Sequence, residues 1–170
     1  MRLFATHDEA VYDYLAFRKD LEGIAAERAA RVGSDTDLKV IDAIYAKMEA
    51  AQSKRSSEEE ARLDAQFHMS ICEAGHNVVM LHMMRSMFDL LHEGVFYNRR
   101  IMFSRHTTFE VLLAQHSAIN AAPQPRDPAA ARTAVEAHLD YVNQPLIYPH
   151  RSLRNAEIAQ QRLEHESGKG

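Results

Sequence analysis

The chain has 170 residues, 46% of them hydrophobic and 26% charged, which is enough apolar material to bury the core of one domain. A net charge of -4 argues against the basic stripe of a nucleic-acid-binding module, and a single cysteine, Cys72, excludes an internal disulfide framework. The opening MRLFATHDEAVYDY lacks the basic-then-apolar pattern of a secretory signal. No apolar run nears the roughly 18 residues of a membrane span, so a soluble cytoplasmic domain is expected.

Six Gly and five Pro leave long stretches rich in Ala, Leu, Met, Glu, Arg and Gln, a composition that favours an all-α fold. The first helix is expected from about Asp8 to Arg31, with Val11, Tyr14, Leu15, Leu21, Ile24 and Ala25 as its buried stripe and Gly33 just past its end. Ser34 or Asp35 then caps a second helix, in which Leu38, Ile41, Ile44, Tyr45 and Met48 recur at helical spacing. In SKRSSEEE, Ser56 or Ser57 can cap a third helix, and Glu58, Glu59 and Glu60 suit the positive end of its dipole.

Gly75 closes that helix. Asn77 can cap a long fourth one, from about Val78 to Phe103, whose apolar residues, Val79 and Met83 among them, run almost all the way round. A fifth helix follows from about Thr107 to Ala121. PQPRDP is the clearest turn, with Asp127 as N-cap and Pro128 opening a sixth helix that Pro145 ends or kinks. Beyond Pro149 the chain reads as a polar tail, partly helical or disordered. The pattern predicts an antiparallel bundle of six or seven helices. Its divisions are residues 1–11 as a linker or helix start, 12–146 as the main helical domain and 147–170 as the tail.

Four ionisable residues fall on the apolar sides of these helices. Asp64 and His68, four residues apart, share a face with Ala61, Phe67, Ile71 and Cys72. His116 lies with Phe109, Leu112, Leu113 and Ile119, and His138 with Ala131, Ala134, Val135, Tyr141 and Val142. Buried singly, each group needs its own partner at a cost of several kcal/mol, whereas converging on one divalent cation satisfies all four. A lone histidine on an apolar face is more often a core residue bonded to a carbonyl, but one aspartate and three histidines on three such faces point to a shared ion. His82 and His106 read as surface or turn residues, and His92, between Phe88 and Phe96, is a competing candidate.

Three imidazoles and a carboxylate suit Zn²⁺ first, with Ni²⁺, Mn²⁺ or Fe²⁺ as alternatives, and an octahedral ion keeps positions open for water or a small carboxylate. Arg18 lies on the buried stripe of the first helix, and Asn98 and Arg99 lie among Val95, Met102 and Phe103. A buried arginine beside a cation implies an anion between them; equally, Arg18 can pair with Glu22 or another acid, or reach solvent on its stem. No general base, Ser/His/Asp arrangement or glycine-rich phosphate loop is legible. Two other classes stay open: a metal-dependent enzyme acting on a small organic acid, and a structural helical module.

The segments FRKDLEGIAAERAA, LDAQFHMSICEAGHN, LLAQHSAINAA and RDPAAARTAVEAHLDYV, in that order from about Tyr12 to Val142, resemble the FCD ligand-binding domain of FadR-type transcription regulators in the GntR superfamily. The resemblance implies that Asp64, His68, His116 and His138 hold a metal ion. It also implies that Arg18, with Asn98 and Arg99 in the YNRR run, holds a small organic acid. Such regulators dimerise and bind operator DNA through an N-terminal winged helix-turn-helix. Here the residues from Met1 onward already read as the linker into the first helix, as in a truncated effector domain or a stand-alone paralogue. The expected role is therefore effector sensing rather than catalysis, with binding of a 2-hydroxy or 2-oxo acid altering homodimer geometry.

Overall fold

A computed structural model of the chain describes residues 8–52, 56–86, 108–143 and 151–167, and among these are seven helices and no strand. They are α1 (Asp8–Val32), α2 (Asp35–Gln52), α3 (Ser57–Ala74), α4 (Val78–Ser86), α5 (Thr108–Ala121), α6 (Pro128–Asn143) and α7 (Arg151–Glu166). The all-α expectation holds. No described helix is long and apolar enough to cross a membrane.

The helix starts are set by side chains that take up backbone N–H groups left without an intrahelical acceptor. Ser34 rather than Asp35 caps α2: its hydroxyl accepts from the Asp37 N–H at 3.1 Å, and the Asp37 carboxylate reaches back to the Ser34 N–H at 2.7 Å. Ser56 caps α3 by accepting from Glu59 N–H at 3.4 Å, and Asn77 caps α4 by accepting from Met80 N–H at 3.1 Å. Asp127 opens α6, its Oδ1 accepting from the N–H groups of both Ala129 and Ala130 at 3.0 Å. Asp127→Ala is expected to lower stability by about 1 kcal/mol in chemical denaturation, with Asp127→Asn near wild type.

One apolar cluster joins five helices. It contains Ala26, Ala29 and Ala30 of α1, Leu38, Ile41, Ile44, Tyr45 and Met48 of α2, Leu63, Phe67 and Ile71 of α3, Ile119 of α5, and Ala131, Val135 and Leu139 of α6. All five residues of the α2 stripe are buried, as their spacing predicts. On α1 the expected buried face holds at Tyr14 and Ala25, with Leu21 half-buried. Small residues line it, and Ile24 is 40% exposed. The cause is close approach to α6: a Cβ on Gly23 would stand 3.1 Å from Glu136 Oε1, and Lys19 pairs with Asp140 at 2.7 Å. Alanines let two backbones come together, and the bulkier Ile24 is displaced to the edge.

Gly33 is required by the turn from α1 to α2, since a Cβ there would lie 2.5 Å from the Ala29 carbonyl oxygen. On the described part of α4 the apolar residues divide between two sides: Met80 and Met84 are buried, whereas Val79 and Met83 are 70% and 45% exposed. The expected continuation of this helix to Phe103 falls outside the described residues. The polar tail contains a true helix, α7, with Ile158 and Leu163 exposed.

Candidate metal centre

α3 carries Asp64 and His68 one turn apart on its buried face, α5 contributes His116 and α6 contributes His138; all four are buried. The packing of α5 on α6 and of α1 on both α3 and α6 brings these faces together. His68, His116 and His138 each offer a ring nitrogen within 4.8 Å of the others. Their ring centroids lie 4.4 Å apart for His116 and His138, 5.3 Å for His68 and His138, and 5.5 Å for His68 and His116. Asp64 Oδ1 stands 3.1 Å from His116 Nε2. Phe67 walls the cluster, its ring edge-on to both His68 and His116.

A further layer surrounds these rings. Glu22, fully buried on α1, places Oε2 2.6 Å from His68 Nδ1, a short approach that is off the line of the ring N–H, and Oε1 2.7 Å from Arg18 Nε. Gln115 Oε1 lies 3.0 Å from His138 Nδ1 and accepts its proton when that nitrogen carries it. Neither Glu22 nor Gln115 stands out from periodicity as part of a site. The one signal was the i, i+4 spacing of Glu22 from Arg18.

Burial alone would raise the Glu22 carboxyl, but Arg18, and then His68, outweigh it and hold the group at about 2, so Glu22 is charged near neutral pH. Burial would lower the Arg18 guanidinium, yet Glu22 reverses the shift and the group stays protonated. Burial drives His138 well below the ordinary histidine range, and the neighbouring His116 and His68 push it the same way. A neutral His138 is ready to donate a lone pair, with no proton to displace first.

The donor set fits a divalent ion. Donors about 2.0–2.1 Å from one zinc stand roughly 3–4 Å from each other, so three nitrogens within 4.8 Å need only small shifts to close on it. His68 Nε2 is buried without a hydrogen-bond partner among the described residues. A buried polar nitrogen left so costs stability unless something occupies it. Bound by these residues, such an ion would supply a Lewis-acid centre.

For Arg18, the ion pair with Glu22 is what the fold realises: the anion beside it is a side chain of the chain itself. Its Nη2 is nevertheless buried and lacks a hydrogen-bond partner among the described residues. Asn98 and Arg99, and the competing His92, lie outside the described residues. His82 is exposed on α4.

An FCD domain family model matches residues 13–141. The chain is 35% identical over 149 residues to the Glc operon transcriptional activator of Escherichia coli (strain K12), covering 86% of this chain and 59% of that protein. It is 33% identical over 141 residues to the putative L-lactate dehydrogenase operon regulatory protein of Escherichia coli (strain K12), covering 83% of this chain and 53% of that one. It is 31% identical to the HTH-type transcriptional regulator LutR of Bacillus subtilis (strain 168), covering 79% of this chain and 61% of that one. In fold it is similar to Streptococcus agalactiae GntR, with a TM-score of 0.70 at 20% identity over 84% of this chain and 64% of that one. The chain thus spans less than two thirds of the length of the curated relatives it matches. It belongs to the FCD domain family of GntR-type transcription regulators.

Proposed function

We propose that this chain is the effector-sensing and dimerisation part of a transcription regulator, binding a divalent metal through Asp64, His68, His116 and His138 and a small carboxylate on the metal's open positions. The observation that carries the reading is the convergence of three buried histidines, one with an orphaned Nε2. Zinc suits the donors best. A divalent ion held by one carboxylate and three neutral imidazoles keeps a surplus positive charge, and Glu22 already balances Arg18. An anion therefore completes the site, and a 2-hydroxy or 2-oxo acid offers two oxygens to one ion.

The relative named for an L-lactate dehydrogenase operon supports that ligand class, L-lactate being a 2-hydroxy acid. Arg18 Nη2 is a donor available to the acid, and Asn98 and Arg99 are proposed as further contacts. Effector binding shifts helix packing and homodimer geometry, and so the spacing of winged helix-turn-helix modules on operator DNA. The shift is bounded by the effector's differential affinity for the two states.

Thermal unfolding of the chain with and without Zn²⁺ and L-lactate, alongside assay for product, tests this. Metal-dependent stabilisation by the acid without turnover is expected. Metal-dependent product formation would make the domain an enzyme, and the absence of any acid effect would remove the effector reading.

A further inference from the structure

We propose that Glu22 is the positioning residue of the histidine cluster: from α1 it holds His68 of α3 by Nδ1, so that Nε2 is the nitrogen turned to a cation. This rests on the metal reading above. A neutral imidazole has one N–H and one lone pair, and a carboxylate against one nitrogen fixes the proton there and leaves the lone pair on the other. Glu22 Oε2 stands 2.6 Å from His68 Nδ1, with both side chains at most 1% exposed; neither ring nitrogen has an aligned hydrogen-bond partner among the described residues, and the carboxylate stands on the Nδ1 side, leaving Nε2 as the nitrogen away from it.

His138 is treated in parallel, its Nδ1 against the Gln115 amide oxygen, so two of the three rings are gripped from behind by a neighbouring helix. The two grips differ in charge. A carboxylate strengthens donation by the imidazole more than an amide does, at the cost of burying a charge, and Arg18 offsets that cost from Glu22's other oxygen. A pair serving only stability would gain nothing from standing against a histidine, since buried ion pairs are often no better than apolar residues of the same size.

Cobalt titration of the metal-free chain, read by its ligand-field absorption bands and by zinc competition, tests the assignment, with circular dichroism verifying folding. Wild type is expected to bind one equivalent. Glu22→Ala should bind about 10–100-fold more weakly with shifted bands, and Glu22→Gln, which keeps an acceptor for Nδ1–H, should lose about tenfold or less. Glu136→Gln, at the half-buried Arg132 ion pair, should match wild type. One cobalt bound with wild-type affinity and bands in both Glu22 variants would overturn the positioning role and leave the metal reading standing. A wild-type chain that takes up no cobalt would overturn both. Should Glu22→Ala fail to fold, the double variant Arg18→Met with Glu22→Gln carries the test with no unpaired buried charge. It should show shifted bands, and wild-type bands and affinity there would overturn the role.

Discussion

His116→Ala and His138→Ala should each abolish stoichiometric metal binding and, with it, the response to a carboxylate. Each change removes a donor atom, so the loss of affinity should exceed the roughly 10–100-fold seen when only a supporting residue is removed. The metal-free proteins should behave differently. Without an ion the neutral His138 ring still fills core space and meets Gln115 through Nδ1, so its truncation should cost the stripped chain stability of its own, separate from the lost zinc effect. Wild type should gain about 2.7 kcal/mol when zinc is raised to a hundred times its Kd, whereas the variants gain nothing. Thermal unfolding with and without zinc reads both effects. Equal zinc stabilisation in wild type and either variant would exclude these residues as ligands.

Arg18→Met should destabilise the fold by about 3–5 kcal/mol, because it leaves the buried Glu22 carboxylate without its cation. Both side chains are almost completely inaccessible, at 4% and 1%, so solvent cannot screen the loss. Adding Glu22→Gln should recover most of it, since exchanging a whole buried pair for neutral groups is often close to neutral. Urea denaturation of the two singles and the double closes the cycle. Metal stoichiometry should survive in Arg18→Met, as every donor remains, while carboxylate affinity falls. A loss under about 1 kcal/mol in the single variant would mean that Glu22 is compensated from elsewhere.

Local order was legible where one residue type decides it. The Asp127–Pro128 start, the Ser56 cap and the five-residue α2 stripe depend on hydrogen bonds and periodicity within a few residues. Ile24 was misread because periodicity favours the largest apolar residue, whereas the α1–α6 seam selects the smallest. The apolar circumference of α4 was legible, but not which side would be covered: Val79 and Met83 lie exposed.

For the metal centre, helical spacing placed each histidine on a buried face but could not say that the three faces meet, which depends on how α3, α5 and α6 pack. Glu22 and Gln115 were not legible as supports at all. Each touches a histidine on another helix, and nothing in the spacing along a single helix encodes such a contact. Arg18 was legible only as an alternative, because a buried guanidinium demands an anion without specifying whether a ligand or a neighbour one turn away supplies it.

Crystals of the chain purified without added metal, then soaked in zinc and measured on both sides of the zinc absorption edge, would locate the ion. One anomalous peak is predicted, within bonding distance of Asp64, His68, His116 and His138. The absence of a peak there, or a peak held only by exposed residues such as His76 or His82, would contradict a shared cation as the reason these four side chains are buried together.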